Sequence, residues 1–259
     1  MRPDSVVRLV FGAASAAVGR ATQTHHHLDS VGGALQKVLA GMEKASRKTG
    51  RSLPPRLVAA SKSQPVELVQ NAYDYGVRHF GENYVQELTT KARELKGLDI
   101  RWHYIGRLKK RNAKKLVEVP GLWMVETVDS FKAAEALDRR WGDRGLDCGS
   151  LRIMLQVNTS REESKRGCVP EACSDLGHYV LEECPHLRLT GLMTIGRQSQ
   201  PITPNPDFMK LVWCREVLCQ QLHCAELELS MGMTEDYQHA IELGSTSVRI
   251  GRAIFSPDL

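Results

Sequence analysis

The feature that most constrains the fold is a repeated alternation of short apolar runs with longer segments of helical period. Such alternation predicts repeated βα units and a parallel sheet. It begins near residue 28, and eight of the runs are β-branched or apolar enough to be strands. The predicted strands cover residues 56–60, 77–81, 102–106, 122–126, 151–157, 189–195, 227–230 and 247–250.

The helical segments between these runs carry recognisable ends. Pro65 stands at the start of one segment and Gly76 at its end, which is the usual asymmetry of helix termini. Ser130, or Asp129 before it, can cap another segment, and Asn205 can cap a third. A further helix is predicted over residues 35–49, ahead of the first strand.

Eight strands and about eight helices favour one closed (β/α)8 TIM barrel over an open doubly wound sheet. The length of 259 residues agrees, because such barrels take about 250 residues. Two smaller domains remain an alternative on length alone. The expected division is an N-terminal extension over residues 1–30 and a barrel over residues 31–259. Functional groups in a barrel lie on the loops that follow the strands.

Lys62 follows the first predicted strand directly. Its stem leaves a packed strand end, where the amine can be desolvated; desolvation lowers the pKa of a lysine and frees the amine to attack an aldehyde. A lysine extending from the barrel rim into water is the alternative.

The loops after the seventh and eighth strands have the composition of a phosphate site. Ser230 and Gly232 precede a helix, whose free amides favour an anion, and Gly251 lies between Arg249 and Arg252. Phosphate sites in barrels frequently form at these two loops together.

Six motifs in this order resemble those of the pyridoxal phosphate homeostasis protein family. They are ASKSQP at 60–65, FGENYVQE at 80–87, WHYIG at 102–106, GLMTIG at 191–196, LSMGM at 229–233 and VRIG at 248–251. The resemblance runs from about residue 35 to the end of the sequence.

The resemblance implies a barrel of the alanine racemase N-terminal-domain type, a fold type III pyridoxal 5′-phosphate (PLP) site. By this resemblance Lys62 holds PLP as a Schiff base, and Ser230 and Gly251 bind its phosphate. Asn83 and His103 are implied to line the cofactor.

The resemblance also places Arg249 opposite the pyridine nitrogen of PLP. A permanently charged arginine there leaves that nitrogen unprotonated, so the ring is a weaker electron sink. Arg252 departs from the small hydroxyl residue usual in the family. It either adds a contact to the phosphate or crowds it.

The function that follows is intracellular PLP homeostasis and delivery, with PLP, related B6 vitamers and apo-enzymes as partners and no turnover reaction. The 259 residues hold no counterpart of the β domain that supplies catalytic groups in alanine racemase. A racemase-like PLP enzyme using Tyr84 or Cys168 for proton transfer is the alternative.

Six cations within residues 107–115 raise nucleic-acid binding as a third function, but no aromatic residues are interleaved to stack bases. A solvated helix is the simplest interpretation, and a positive rim that attracts phosphorylated vitamers is the sharper one. No metal site and no membrane partner are predicted.

The first 24 residues are rich in Arg, Ser and Ala and resemble a mitochondrial transit peptide. A disordered cytosolic extension is the alternative, so the expected location is the cytoplasm or the mitochondrion. The histidines at 25–27 are expected to lie at the edge of this unstructured tail.

Overall fold

The computed structural model describes residues 22–51, 54–145, 148–197, 203–223 and 227–256. Eight parallel strands pair in chain order, and the eighth pairs with the first to close the barrel. The strands are β1 (Arg56–Ala60), β2 (His79–Glu82), β3 (Arg101–Tyr104), β4 (Leu122–Val128), β5 (Leu151–Gln156), β6 (Leu187–Met193), β7 (Glu228–Ser230) and β8 (Ser247–Ile250). The predicted barrel is confirmed, and each predicted strand overlaps an observed one.

Helices surround the barrel and connect its strands. They are α1 (Thr22–Lys48), α2 (Val66–Asp74), α3 (Val85–Glu94), α4 (Lys110–Val117), α5 (Phe131–Gly142), α6 (Cys173–Glu183), α7 (Pro206–Leu222), α8 (Tyr237–Glu242) and α9 (Arg252–Phe255). Asn205 caps α7 as predicted, because its Oδ1 accepts from the amides of Asp207 at 2.9 Å and Phe208 at 3.3 Å. Gly76 follows α2 with a φ of 95°, a conformation that favours glycine.

Helix α1 is longer than the sequence indicated. It begins at Thr22 and not at residue 35, so the histidines at 25–27 lie within a helix and not in an unstructured tail. Val31, Leu35, Val38 and Met42 are buried at helical spacing. This apolar stripe explains why the helix packs beside α2, α8 and α9. The boundary expected after residue 30 falls inside α1, and residues 1–21 lie outside the described part of the chain.

The barrel interior has an apolar layer with polar groups on both sides. Met124, Met154 and Met193 pack together in the centre. Along β4, Glu126 lies toward the carboxyl ends of the strands and Trp123 toward the amino ends. We call the carboxyl end of the barrel the upper mouth and the amino end the lower mouth. None of the helices in the described ranges is both long and apolar enough to cross a membrane.

Candidate functional site

Lys62 lies at the upper mouth, in the turn between β1 and α2. Ser63 has a φ of 60°, which is uncommon for a residue other than glycine. The Ser63 amide donates to Oε1 of Glu87 at 2.6 Å, and the Gln64 amide donates to the Ser61 carbonyl at 3.1 Å. The turn that carries Lys62 is therefore fixed on both sides of the lysine.

A buried lysine, Lys91 on α3, holds this turn from beneath. Its Nζ donates to the Ser61 carbonyl at 2.6 Å and to one carboxylate oxygen each of Glu82 and Glu87 at 2.7 Å. The Ser61 hydroxyl donates to the same Glu82 oxygen at 2.7 Å. Burial raises the pKa of Glu82, and the bonds from Lys91 and Ser61 oppose that rise. These contacts offset the cost of burying the charges, while the second Glu82 oxygen, Oε2, is buried without a hydrogen-bond partner in the described part of the chain.

The Lys62 side chain is exposed, which agrees with a lysine extending from the barrel rim and not with desolvation at the strand end. Its amine is open to the upper mouth. The loop after β8 runs directly alongside, since a Cβ on Gly251 would lie 2.9 Å from the Ala60 carbonyl oxygen, two residues before Lys62. Only glycine permits this approach without a shift of backbone.

The loops after β7 and β8 lie side by side, as the sequence predicted for a phosphate site. Gly251 is the N-cap residue of α9, and the Ala253 amide donates to the Thr234 hydroxyl at 3.4 Å. Gly232 has a φ of 97°, and a Cβ there would lie 2.6 Å from the Ala240 Cβ on α8. Both glycines are therefore required by the way the two loops pack.

Arg249 is buried inside the barrel at this mouth. Its guanidinium donates to the Ser230 hydroxyl at 2.6 Å and to the Thr194 carbonyl at 2.7 Å. The Ser230 hydroxyl in turn donates to Glu126 at 2.6 Å. Burial lowers the pKa of Arg249, and the charges of Glu126 and Asp236 oppose the change. Because the pKa of an arginine lies far above neutral pH, Arg249 remains a fixed cation.

The same hydrogen-bonded chain continues down through the barrel. Nδ1 of His103 lies 2.5 Å from the second Glu126 oxygen, and Nε2 of His103 lies 2.9 Å from Nδ1 of His79. Burial alone would raise the pKa of Glu126, but His103, Arg249 and Ser230 together lower it. Burial, followed by the charges of His103 and two arginines, lowers the pKa of His79 to about 2. Glu126 is thus ionised and His79 neutral.

Three of the predicted site residues have partners within the protein. The Ser230 hydroxyl donates to Glu126 and accepts from Arg249. His103 is fully buried in the barrel, with both ring nitrogens in hydrogen bonds. Arg252 is exposed and forms an ion pair with Glu235 at 3.0 Å.

The remaining predicted residues, Lys62, Asn83, Arg249 and Gly251, lie at the carboxyl ends of β1, β2 and β8. Sequence reasoning missed Lys91, Glu82 and Glu126. Glu126 left a signal, since it is an acid within the otherwise apolar run of β4. Lys91 left none, because its partners are up to 30 residues away in sequence.

Comparisons with known proteins agree with this architecture. The profile of the family "Alanine racemase, N-terminal domain" matches residues 34–258. The human pyridoxal phosphate homeostasis protein is 47% identical over 236 residues, which cover 87% of this chain and 86% of that protein. The relative from Caenorhabditis elegans with the same name is 41% identical and covers 85% of this chain and 91% of that protein.

Among solved structures, PipY of Synechococcus elongatus PCC7942 with PLP bound is 31% identical, with a TM-score of 0.72. The match covers 87% of this chain and all of PipY. Alanine racemase from Corynebacterium glutamicum is 14% identical with a TM-score of 0.64, covering 88% of this chain and 61% of that enzyme. This second likeness concerns the fold alone.

Proposed function

We propose, since this chain belongs to the pyridoxal phosphate homeostasis protein family and is built on the alanine racemase N-terminal domain, that it binds PLP at the upper mouth. Lys62 holds the aldehyde carbon as a Schiff base. The observation that carries the proposal is the convergence of three features on one mouth: the open Lys62 amine, the close approach of Gly251 to β1, and the buried cation Arg249.

The residues at this mouth fit PLP in charge. Gly251 is half-buried and has no side chain of its own, so a phosphate can approach the backbone of this loop. The Ser230 hydroxyl already has two partners, and we therefore assign phosphate binding to the backbone around Gly251 more than to this side chain.

PLP supplies an aldehyde and a ring that withdraws electrons when its nitrogen is protonated. Arg249 offers that nitrogen only donors, because a guanidinium has no acceptor. Ser230, Thr194 and Glu126 fix its position and keep its charge in place. This arrangement suits reversible storage of PLP better than catalysis on a substrate carbon.

The role that follows is PLP homeostasis, in which the chain keeps a reactive aldehyde bound and delivers it to apo-enzymes. The names of the relatives and the PLP bound to PipY support this role. Exposure of Lys62 is consistent with it, since an open amine can both take up and release its aldehyde.

Reductive trapping tests the assignment. The protein is mixed with PLP, reduced with borohydride and digested, and the modified peptides are identified by mass spectrometry. We expect one dominant modified peptide, which contains Lys62. Modification spread evenly over the surface lysines, with no preference for Lys62, would refute it.

A further inference from the structure

The lower mouth of the barrel, opposite Lys62, carries an unusual group of cations. Arg56, Arg101, Arg152 and Arg188 come from the amino ends of β1, β3, β5 and β6. Within the described part of the chain, Glu228 is the only carboxylate that bonds to one of these arginines. It forms a bidentate ion pair with Arg56, at 2.6 and 3.0 Å.

Two of these arginines, Arg56 and Arg152, project into the barrel, whereas Arg101 is half-buried and Arg188 is exposed. Arg56 on β1 reaches Glu228 on β7 and stacks on Trp123 of β4, with 4.7 Å from the guanidinium carbon to the ring centroid. Strands β1, β4 and β7 are not neighbours, so these groups meet only through the interior. Arg152 stacks on the same ring at 4.9 Å.

Trp123 is placed inside by an irregularity in β4. Trp102 and His103 on β3 pair with Leu122 and Met124, so Trp123 is the extra residue of a bulge. A bulge re-aims a side chain, and such irregularities often lie beside functional sites. The indole lies 4.8 Å from the ring of His79, at the lower end of the chain of hydrogen bonds that leads to Arg249.

The positive charge of this group is not balanced from within. Arg152 and Arg188 are directly paired in register on β5 and β6, and like charges at such positions repel. Within the described ranges, the side chains of Arg101, Arg152 and Arg188 form no hydrogen bond and no ion pair with the protein. Burial lowers the pKa of Arg152, and the charges of Arg188, Arg101 and Arg56 lower it further.

There is also room for a ligand. A cavity of about 200 Å³ opens on one side of this group, lined by Arg152 and Trp123 of the group and by Arg144 and Trp141. Arg101 and Arg188 do not line this cavity, and Arg144 already donates to the Val117 carbonyl. This is many times the volume of roughly 10–15 Å³ that one water needs. Guanidinium groups bind phosphate in bidentate fashion, and Arg152 at the cavity has the charges of Arg188, Arg101 and Arg56 close by, which favours a dianion over a monoanion.

We propose that the lower mouth is a second binding site, which holds a phosphate-bearing small anion among Arg101, Arg152 and Arg188. The site is separate from the upper mouth and needs neither Lys62 nor a Schiff base. An anion here balances the unpaired charges, and its nearest aromatic surface is Trp123.

Calorimetric titration with pyrophosphate at constant ionic strength tests the site. The protein is first incubated with PLP and freed of excess, so that the upper mouth is filled. We expect saturable binding that weakens at least tenfold in Arg152→Gln and in Arg188→Gln. Because Arg188 is exposed, Arg188→Gln retains the fold even if Arg152→Gln does not.

Two controls locate the binding. Arg139→Gln removes the same charge from the exposed face of α5 and should leave the affinity within twofold. Arg252→Gln removes a cation from the upper mouth and should also have no effect. The proposal is overturned if wild type shows no saturable binding, if Arg152→Gln and Arg188→Gln bind as wild type does, or if Arg252→Gln abolishes binding. Failure to retain PLP in the first step would instead count against the upper-mouth assignment.

Discussion

The Lys91→Met variant tests whether the buried ion cluster beneath Lys62 holds the upper mouth together. Lys91 gives hydrogen bonds to Glu82, Glu87 and the Ser61 carbonyl, and its removal leaves Glu82 fully buried without a cation. Breaking a buried pair by removing one partner costs about 3–5 kcal/mol. For a chain of this size that corresponds to a melting temperature lower by about 6–20 °C.

The loss should depend on pH in a defined direction. Burial already raises the pKa of Glu82, and loss of Lys91 raises it further. The Glu82 carboxylate therefore binds a proton more tightly in the folded variant than in the unfolded chain. A folded-state pKa above the unfolded value gives stability that is lost as pH rises. The deficit of Lys91→Met relative to wild type is therefore smaller at pH 5 than at pH 7.

Urea unfolding followed by circular dichroism at both pH values measures these differences. Adding Glu82→Gln to Lys91→Met removes the orphaned charge and should recover at least half of the lost free energy. Lys96→Met, at an exposed position just after α3, should change stability by less than about 0.5 kcal/mol. The reasoning fails if Lys91→Met lies within about 1 kcal/mol of wild type, or if the double variant is no more stable than the single one.

Three further predictions follow from other parts of the molecule. The folded-state pKa of His79 is about 2, below its ordinary value of 6.5, so the stability that this group contributes above pH 6.5 is lost on acidification. Between pH 6.5 and 5 the free energy of unfolding of wild type should fall by about 2 kcal/mol through this group. His79→Gln should not show this loss. Gly251→Ala forces a Cβ against the β1 backbone and should lower both stability, by about 1–3 kcal/mol, and PLP affinity in a direct titration. Alanine at all three of positions 109–111 should slow PLP uptake at low salt but not at high salt, and equal rates at low salt would exclude the positive rim.

The location of the protein is open to a direct test. We predict that residues 1–30 fused to a fluorescent reporter direct it to mitochondria, which follows from their resemblance to a transit peptide. A reporter that stays wholly diffuse would exclude import and leave a cytoplasmic location.

The strands could be predicted from sequence because each is a local signal. An apolar run of four to seven residues between helical segments marks its own place, as at β1 and β8, where the predicted and observed bounds coincide. The start of α1 was missed because residues before Val31 carry no clear apolar period. Trp123 was assigned to a regular strand, and the bulge that turns it inward is set by pairing with β3.

The sequence indicated at which strand ends the candidate residues lie, but not which protein groups they contact. Its loops could be found because strand ends converge in any barrel. The bond from Ser230 to Glu126 joins residues 104 apart in sequence, and no local pattern specifies such a pair. Arg252 illustrates the same limit, since its partner Glu235 lies on a neighbouring loop, 17 residues away.

The most direct test of the central claim is the visible absorbance of the protein with PLP, compared among wild type, Lys62→Ala and the exposed control Lys96→Ala. We predict a band characteristic of a Schiff base in wild type and in Lys96→Ala, and its loss in Lys62→Ala, with the spectrum of free PLP in its place. A band that persists unchanged in Lys62→Ala would contradict the assignment of Lys62.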